Sequence, residues 1–227
     1  MNKWWDRGWN PISGCVKCDV GCENCYARNL ATKRNKEFDF FFNKKELKKK
    51  FDDTEEFIFV CSQSDLFQEK TEQDMIDNVF ERMNLEKNKK FAILTKRSKN
   101  MLEYFESFDD KKFEDFNRMI FGVSLSTNDS KYRIDDLLEC KHIKHRFVCV
   151  EPIIENVSIR EYLSTGKIDW VVIGAETGEN KRECKEEWID NLMKECRDVN
   201  VPVFVVNGMN ERQKNTKEFF EEFKPKK

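Results

Sequence analysis

Six short runs of consecutive apolar residues recur along the chain, separated by longer stretches with a helical spacing of apolar positions. The runs are FIFV (57–60), FAIL (91–94), MIFGV (119–123), FVCV (147–150), WVVI (170–173) and VPVFVV (201–206). Runs that are apolar on both faces are typical of buried parallel strands. The helical spacing predicts helices over 71–83, 99–108, 132–138 and 187–196, and Thr71 with Asp74 predicts a capped start for the first of these.

This alternation predicts an α/β fold in which crossover helices connect parallel strands. The pattern does not separate an open doubly wound sheet from a barrel. A chain of 227 residues can bury a sizeable core, and we expect one domain spanning residues 1–227. Small and polar residues follow the runs in CSQSDLF, TKR, SLSTND, EPI and GAETG. In both architectures ligands bind at the carboxyl edge of the strands, so we expect a site there.

Composition narrows the class of protein. Charged residues make up 37% of the chain, but the net charge of −2 supplies no global field toward nucleic acid or an anionic membrane. The basic run at 43–50 (NKKELKKK) is better explained by a solvated helix face than by nucleic-acid contact. There is no apolar run of transmembrane length and no signal-peptide core, so we expect a cytoplasmic protein that does not bind membranes. Its cysteines are then expected to be reduced.

Four of the nine cysteines fall within eleven residues, in the segment NPISGCVKCDVGCENCYAR at 10–28. A helical pattern begins directly after the last of them, and a helix N-terminus favours thiolates, the metal-binding form. Zinc would require all four, Cys15, Cys18, Cys22 and Cys25, but this compact spacing leaves little room to wrap a tetrahedron. An iron-sulfur cluster held by only three cysteines keeps one iron open for an exogenous ligand.

The cysteine spacing is similar to that of a known class of enzymes. Cys18, Cys22 and Cys25 have the C-x3-C-x2-C spacing of radical S-adenosylmethionine enzymes. More specifically, WNPISGCVKCDVGCENCYA resembles the phage-associated three-cysteine-motif proteins, a radical-S-adenosylmethionine-like family distantly similar to spore photoproduct lyase. The resemblance continues through VCSQSDLF, LTKR, FGVSLS, VEPIIE and DWVVIGAETG. The family pattern G-C-x6-C-x2-C-Y selects Cys15 instead of Cys18, and we favour Cys15 because it follows NPxxG.

The resemblance implies a partial (β/α) barrel of six or seven parallel strands that binds a [4Fe-4S] cluster and S-adenosylmethionine. The cofactor would lie across the strand ends, and its cleavage would yield a 5'-deoxyadenosyl radical. Side chains expected to contact the cofactor are Ser62, Ser64, Asp65, Ser124 and Ser126. Because the related lyase acts on DNA, the expected substrate is a nucleobase, nucleotide or nucleic acid. An electron donor such as flavodoxin or ferredoxin is also implied.

Other strand-end residues have side chains suited to binding or proton transfer. Lys96 suits a carboxylate or phosphate, and Glu151 is a candidate proton carrier. Glu176 is a candidate for binding ribose or substrate, and Gly174 would let the backbone approach adenine. The alternative function is a non-catalytic zinc-binding or nucleic-acid interaction module. The function that the resemblance implies is that of a radical S-adenosylmethionine enzyme, and the sequence does not identify its specific reaction.

Overall fold

A computed structural model describes residues 2–107 and 116–224. The strands in this part of the chain are β1 Arg7–Trp9, β2 Ile12–Ser13, β3 Phe41–Phe42, β4 Phe57–Val60, β5 Lys90–Thr95, β6 Met119–Leu125, β7 His145–Ile153, β8 Trp170–Ala175 and β9 Val203–Asn207. Its helices are α1 Tyr26–Lys33, α2 Gln73–Leu85, α3 Ser98–Glu106, α4 Tyr132–Glu139, α5 Arg160–Leu163, α6 Glu186–Asp198 and α7 Glu211–Lys214.

Seven parallel strands form one curled sheet, a half-barrel, in the order β1-β4-β5-β6-β7-β8-β9. The small strands β2 and β3 pair separately and antiparallel. The segment preceding β1 spans the gap between the two edge strands, because the Asn2 backbone N–H donates to the Val206 carbonyl of β9. The prediction of an α/β fold with six or seven parallel strands in a partial barrel is confirmed.

Both faces of the sheet are buried, which explains why the strands read as continuous apolar runs. The outer face packs against the helices, with Ile58 and Val60 of β4 in the same cluster as Phe80 of α2. The concave face carries a second, aromatic cluster, which includes Phe57 and Trp170. This cluster comprises Trp4, Phe57, Phe59, Phe147, Trp170, Phe204 and Phe223 with smaller apolar residues. The aromatic side chains fill the amino half of the half-barrel, and the carboxyl half is left open.

The structure differs from the predicted elements in four places. The short strand β1 contains a charged residue and a glycine, so no apolar run marked it. The strand β9 begins after Pro202, which has no N–H to donate to a neighbouring strand. The predicted Thr71 cap is wrong: α2 begins at Gln73, and no side chain caps it. The lysine run forms only a short 3-10 turn, Glu46–Lys48.

Two further observations bound the fold. The predicted helix at 99–108 is observed as α3, although its last predicted residue, Phe108, lies outside the described residues. Among the residues that the structure describes, no helix combines the length and apolar character needed to span a bilayer.

Candidate functional site

A cavity of about 540 Å³ opens at the carboxyl edge of the half-barrel. Its floor is apolar and includes Trp4, Trp5, Phe59, Leu94 and Val206, the tops of the side-chain layer that fills the concave face. Its rim consists of the cysteine segment, the loops that follow β4, β5 and β8, and the carboxyl end of β7. The structure therefore has a cavity where the strand-end residues predicted a site, and its size is that of a small-molecule site.

Three of the four clustered cysteines lie in the cavity wall: Cys15, Cys22 and Cys25. Cys18 is exposed and lies outside the wall, although its Sγ is 3.9 Å from the Sγ of Cys22. Cys25 immediately precedes α1, as the helical pattern predicted. The three cysteines selected by the pattern G-C-x6-C-x2-C-Y are thus the three that face the cavity.

Close contacts fix the shape of the cysteine segment. Arg28 of α1 donates to the Cys15 carbonyl at 2.8 Å. Gly14 has a φ of +71°, and a Cβ there would collide with the Asp39 carbonyl, so the position requires glycine. At Gly21, a Cβ would collide with Ser126 Oγ. Because glycine has no Cβ, the turn between the cysteines can lie directly on the sheet edge.

Asp19 lies between the cysteines and anchors their loop to the end of β5 and to α4. Its carboxylate accepts from Lys96 Nζ at 3.0 Å and from Arg133 at 2.7 Å. Burial alone would raise the pKa of Asp19, but Lys96 and then Arg133 outweigh it and lower the pKa to about 2. Asp19 is therefore ionised at neutral pH, and both of its oxygens are engaged by cations.

Asp65 organises the loop after β5. Its carboxylate accepts hydrogen bonds from the Phe67 N–H, Thr95 Oγ1 and the Lys96 N–H, at 2.7 to 3.0 Å. It also forms a buried ion pair with Arg97 at 3.4 Å. A carboxylate offers about four lone-pair positions, and all of them are occupied by groups of the protein itself. Asp65 thus holds together two of the loops that form the cavity rim.

Arg97 connects this network to the first cysteine. Its guanidinium donates to Cys15 Sγ at 3.3 Å and to the Val16 carbonyl at 2.5 Å. Burial, and then the negative charge of Asp65, raise the pKa of the free Cys15 thiol to about 12, with Arg97 acting in the opposite direction. The guanidinium is the group best placed to stabilise a Cys15 thiolate when a metal replaces the proton.

Cys22 interacts with the thiol of Cys18. Hydrogen bonding from the Cys18 thiol lowers the pKa of Cys22 to about 5 against the effect of burial, and Lys96 adds to the lowering. The same interaction raises the pKa of Cys18. Cys22 Sγ also lies 3.4 Å from Asp19 Oδ1, so the pair of thiols adjoins the carboxylate that anchors the loop.

Glu151 is the carboxyl group that faces the cavity from β7. Gly174 on the neighbouring strand leaves room for it, since a Cβ there would be 3.1 Å from the Glu151 side chain. Burial raises the pKa of Glu151 to about 7, even though Lys96 lowers it in part. The buried thiol of Cys149 lies 4.0 Å from one carboxylate oxygen. Glu151 consequently changes its protonation state near neutral pH.

Glu176, at the end of β8, belongs to a clamp over the cysteine segment. Its carboxylate accepts from Asn24 Nδ2 at 3.0 Å and from Arg182. Arg182 in turn donates to the Val20 carbonyl at 2.9 Å, inside the turn that precedes Cys22. Burial raises the pKa of Glu176, but the hydrogen bonds from Arg182 and Asn24 outweigh it and lower the pKa. The loop after β8 is thereby fastened to the cysteine loop by an ionised carboxylate.

The remaining predicted residues divide into two groups. Ser62, Ser64 and Ser124 line the cavity, together with Asp65, Lys96, Glu151 and Glu176. Their hydroxyls contact the protein: Ser62 Oγ contacts Asn10, Ser64 Oγ donates to the Gly14 carbonyl and Ser124 Oγ to the Glu151 carbonyl. Ser126 and Gly174 lie behind the wall. Ser126 Oγ is buried and has no hydrogen-bond partner among the described residues.

Several residues of the site were not found by reasoning from sequence. Asp19 lies inside the cysteine segment, and its charge between two predicted ligands was the available signal. Arg133 and Arg182 carry no such signal, because they reach the cysteine loop from 114 and 162 residues away along the chain. Trp4 and Trp5 form part of the floor only because the segment before β1 crosses the open side of the half-barrel.

Comparison with known proteins places the chain in a family. No curated protein and no solved structure matches it. One family model, described as a protein of unknown function (DUF5131), matches residues 2–221, which include every residue of the cavity wall. Because this match spans nearly the whole chain, the protein belongs to the DUF5131 family.

Proposed function

We propose that this protein is a radical S-adenosylmethionine enzyme with a [4Fe-4S] cluster bound by Cys15, Cys22 and Cys25. The observation that carries the proposal is that these three thiols line one cavity at the carboxyl edge of a parallel half-barrel. The similarity of the cysteine segment to the phage-associated three-cysteine-motif proteins supports the same assignment. Three thiolates facing one cavity leave a fourth cluster position toward its interior.

The arrangement of donors fits a cluster better than a single ion. Two thiolates on one zinc ion lie about 3.8 Å apart, given a Zn–S bond of about 2.3 Å and a tetrahedral angle. Among the residues that the structure describes, Cys18, Asp19 and Cys22 approach this spacing: their ligand atoms lie within 4.8 Å of one another. The Asp19 oxygens, however, are already bound by Lys96 and Arg133. Thiolates that bind different irons of a cluster do not share one metal ion, so Cys15, Cys22 and Cys25 of the cavity wall need not meet the zinc spacing.

Polar residues around the cavity are suited to holding the charged parts of the cofactor. When bound, the cluster and S-adenosylmethionine supply a 5'-deoxyadenosyl radical after one-electron reduction. Lys96 and Glu151 face the same cavity with opposite charge, so they can bind the carboxylate and amino groups of a methionine moiety, respectively. Ser62 and Ser124 offer hydroxyls at the wall. Asp65, with its lone pairs occupied, has the role of positioning Lys96 and Arg97.

Arg97 and Glu151 have chemical roles that the geometry supports directly. Arg97 donates to Cys15 Sγ and thereby offsets the negative charge that Cys15 acquires as a ligand. Glu151, with a pKa of about 7, can hold or release a proton beside a bound substrate. The apolar floor keeps water from the concave face, which protects a reactive radical from side reactions.

The proposed substrate is a nucleobase, a nucleotide or a nucleic acid, by analogy with the lyase that the family resembles. The proposed electron source is a small redox protein such as flavodoxin or ferredoxin.

The test is anaerobic reconstitution with iron and sulfide, followed by metal analysis and assay of 5'-deoxyadenosine with S-adenosylmethionine and dithionite. We expect about four irons per chain, thiolate-to-iron charge-transfer absorption, and formation of 5'-deoxyadenosine. Cys15→Ser should abolish all three, whereas Cys18→Ser, at an exposed cysteine outside the wall, should retain the cluster. The alternative zinc module would instead bind about one zinc and no sulfide, and it would be weakened equally by both substitutions. That result would refute the proposal.

A further inference from the structure

The segment 33–50, which we call the basic segment, carries a charge opposite to the remainder of the chain. It contains eight lysine and arginine residues and three acidic residues, a net charge of +5. Since the whole chain carries −2, the remainder carries −7. A segment of this sign on an acidic protein creates a local positive field that the net charge conceals.

All the basic side chains of this segment are exposed: Lys33, Arg34, Lys36, Lys44, Lys45, Lys48, Lys49 and Lys50. Within the described part of the chain, only Lys49 has a carboxylate within ion-pair distance, that of Glu46. Lysines on an ordinary solvated helix face are commonly interspersed with partners of opposite charge. Apart from Lys33, the last residue of α1, and the two residues of β3, the segment forms only the 3-10 turn Glu46–Lys48, so its charges are not explained as a helix face.

The basic segment also presents an exposed aromatic ring. Phe41 has 59% of its surface exposed, while the flanking Phe40 and Phe42 are half-buried against the core. In the β2–β3 pair, Phe41 lies opposite Ser13, two residues before Cys15. Phe38 of the same segment lines the cavity. The exposed ring and the lysines therefore adjoin the wall in which the cysteines lie.

We propose that the basic segment binds single-stranded nucleic acid next to the cavity. Unpaired lysines neutralise backbone phosphates, and an exposed aromatic ring stacks on an unpaired base. A duplex is a poorer fit because its bases are already stacked and offer no face to Phe41. An acidic protein would satisfy the lysines but would not account for a ring exposed among them. This binding does not depend on the cluster. The further step, that the bound nucleic acid is also the substrate, rests on the proposed function.

The test is fluorescence anisotropy of the full-length protein with a fluorescein-labelled 12-nucleotide single strand of mixed sequence, at several salt concentrations. The variant Lys44→Glu/Lys45→Glu/Lys48→Glu should bind at least ten-fold more weakly at low salt. If these lysines contact three phosphates, its salt slope should be shallower by about 2, at about 0.7 for each contact. Phe41→Ala should weaken binding to the single strand at least about five-fold, with little change for a duplex of the same sequence.

The matched control is Lys141→Glu/Lys144→Glu/Lys167→Glu, which makes the same change in net charge at exposed lysines preceding β7 and β8. These lie at the amino edge of the sheet, away from the cavity, so binding should remain within about two-fold of the wild type. No salt-dependent binding, equal losses in both triple variants, or an unaffected Phe41→Ala would each overturn the proposal. The proposal would also be overturned if Lys44→Glu/Lys45→Glu/Lys48→Glu lost reduction of its cluster by flavodoxin but still bound the single-stranded oligonucleotide as the wild type does. Formation of 5'-deoxyadenosine without nucleic acid tests the radical chemistry separately.

Discussion

Replacing Glu151 by glutamine tests the environment of the buried carboxyl group. The folded protein holds the proton of Glu151 up to a pKa of about 7, whereas the ordinary value is 4.5. Between these values the folded state binds more protons than the unfolded state, so the free energy of unfolding falls as the pH rises. The full difference corresponds to about 3 kcal/mol, at about 1.4 kcal/mol per pKa unit. Glutamine does not titrate, so the free energy of unfolding of Glu151→Gln should not fall in this way as the pH rises.

The assay is urea unfolding of the apoprotein under reducing, anaerobic conditions at pH 5, 6, 7 and 8. The stability of Glu151→Gln relative to the wild type should increase by about 2 to 3 kcal/mol between pH 5 and pH 8. That change corresponds to about 1 M in the urea midpoint for a chain of this size. Glu103→Gln, at an exposed carboxylate of α3, is the control and should show a constant difference. A constant difference for Glu151→Gln, or one that is largest at low pH, would refute the reasoning.

Three further substitutions test the supports of the site. Asp65→Asn should lower the free energy of unfolding by about 3 kcal/mol, because it removes the buried carboxylate that pairs with Arg97 and leaves this buried cation only the exposed carboxylate of Glu69; Glu69→Gln, whose side chain is 59% exposed, should cost less than about 1 kcal/mol in the same urea titration. Gly21→Ala should cost about 1 to 3 kcal/mol through its collision with Ser126, and adding Ser126→Ala should restore part of it. Arg182→Ala should speed the loss of iron to a chelator several-fold, while the neighbouring Lys181→Ala leaves the rate unchanged; equal rates would contradict the clamp.

The strands were the most predictable part of the fold because burial on both faces demands consecutive apolar residues. Each of the six apolar runs is a strand of the half-barrel. The short strand β1 escaped prediction, since three residues with a charge and a glycine form no run. Helix starts were less predictable than strands. Thr71 does not cap α2, because a capping sequence favours a helix start at that position but does not compel one.

The candidate site was predictable where its chemistry is concentrated in sequence. The clustered cysteines predicted a site, and three of them line the cavity; the polar residues after the strands predicted its place at the carboxyl edge. Spacing alone left Cys15 and Cys18 as rivals, and the structure separates them by orientation: Cys15 faces the cavity and Cys18 faces solvent. Whether that orientation selects the cluster ligand is what the two serine substitutions measure.

The sequence by itself determined the alternation of strands and helices, because periodicity of burial is a local property of the chain. It also determined which thiols are close together. Only the tertiary structure decided what surrounds them, since Arg133 and Arg182 reach the cysteine loop from distant parts of the chain and Glu151 lines the same cavity. Proton affinities followed from the same packing: burial raises the pKa of Glu151, while two cations lower that of Asp19. Such effects depend on distances across the fold, which no spacing along the chain encodes.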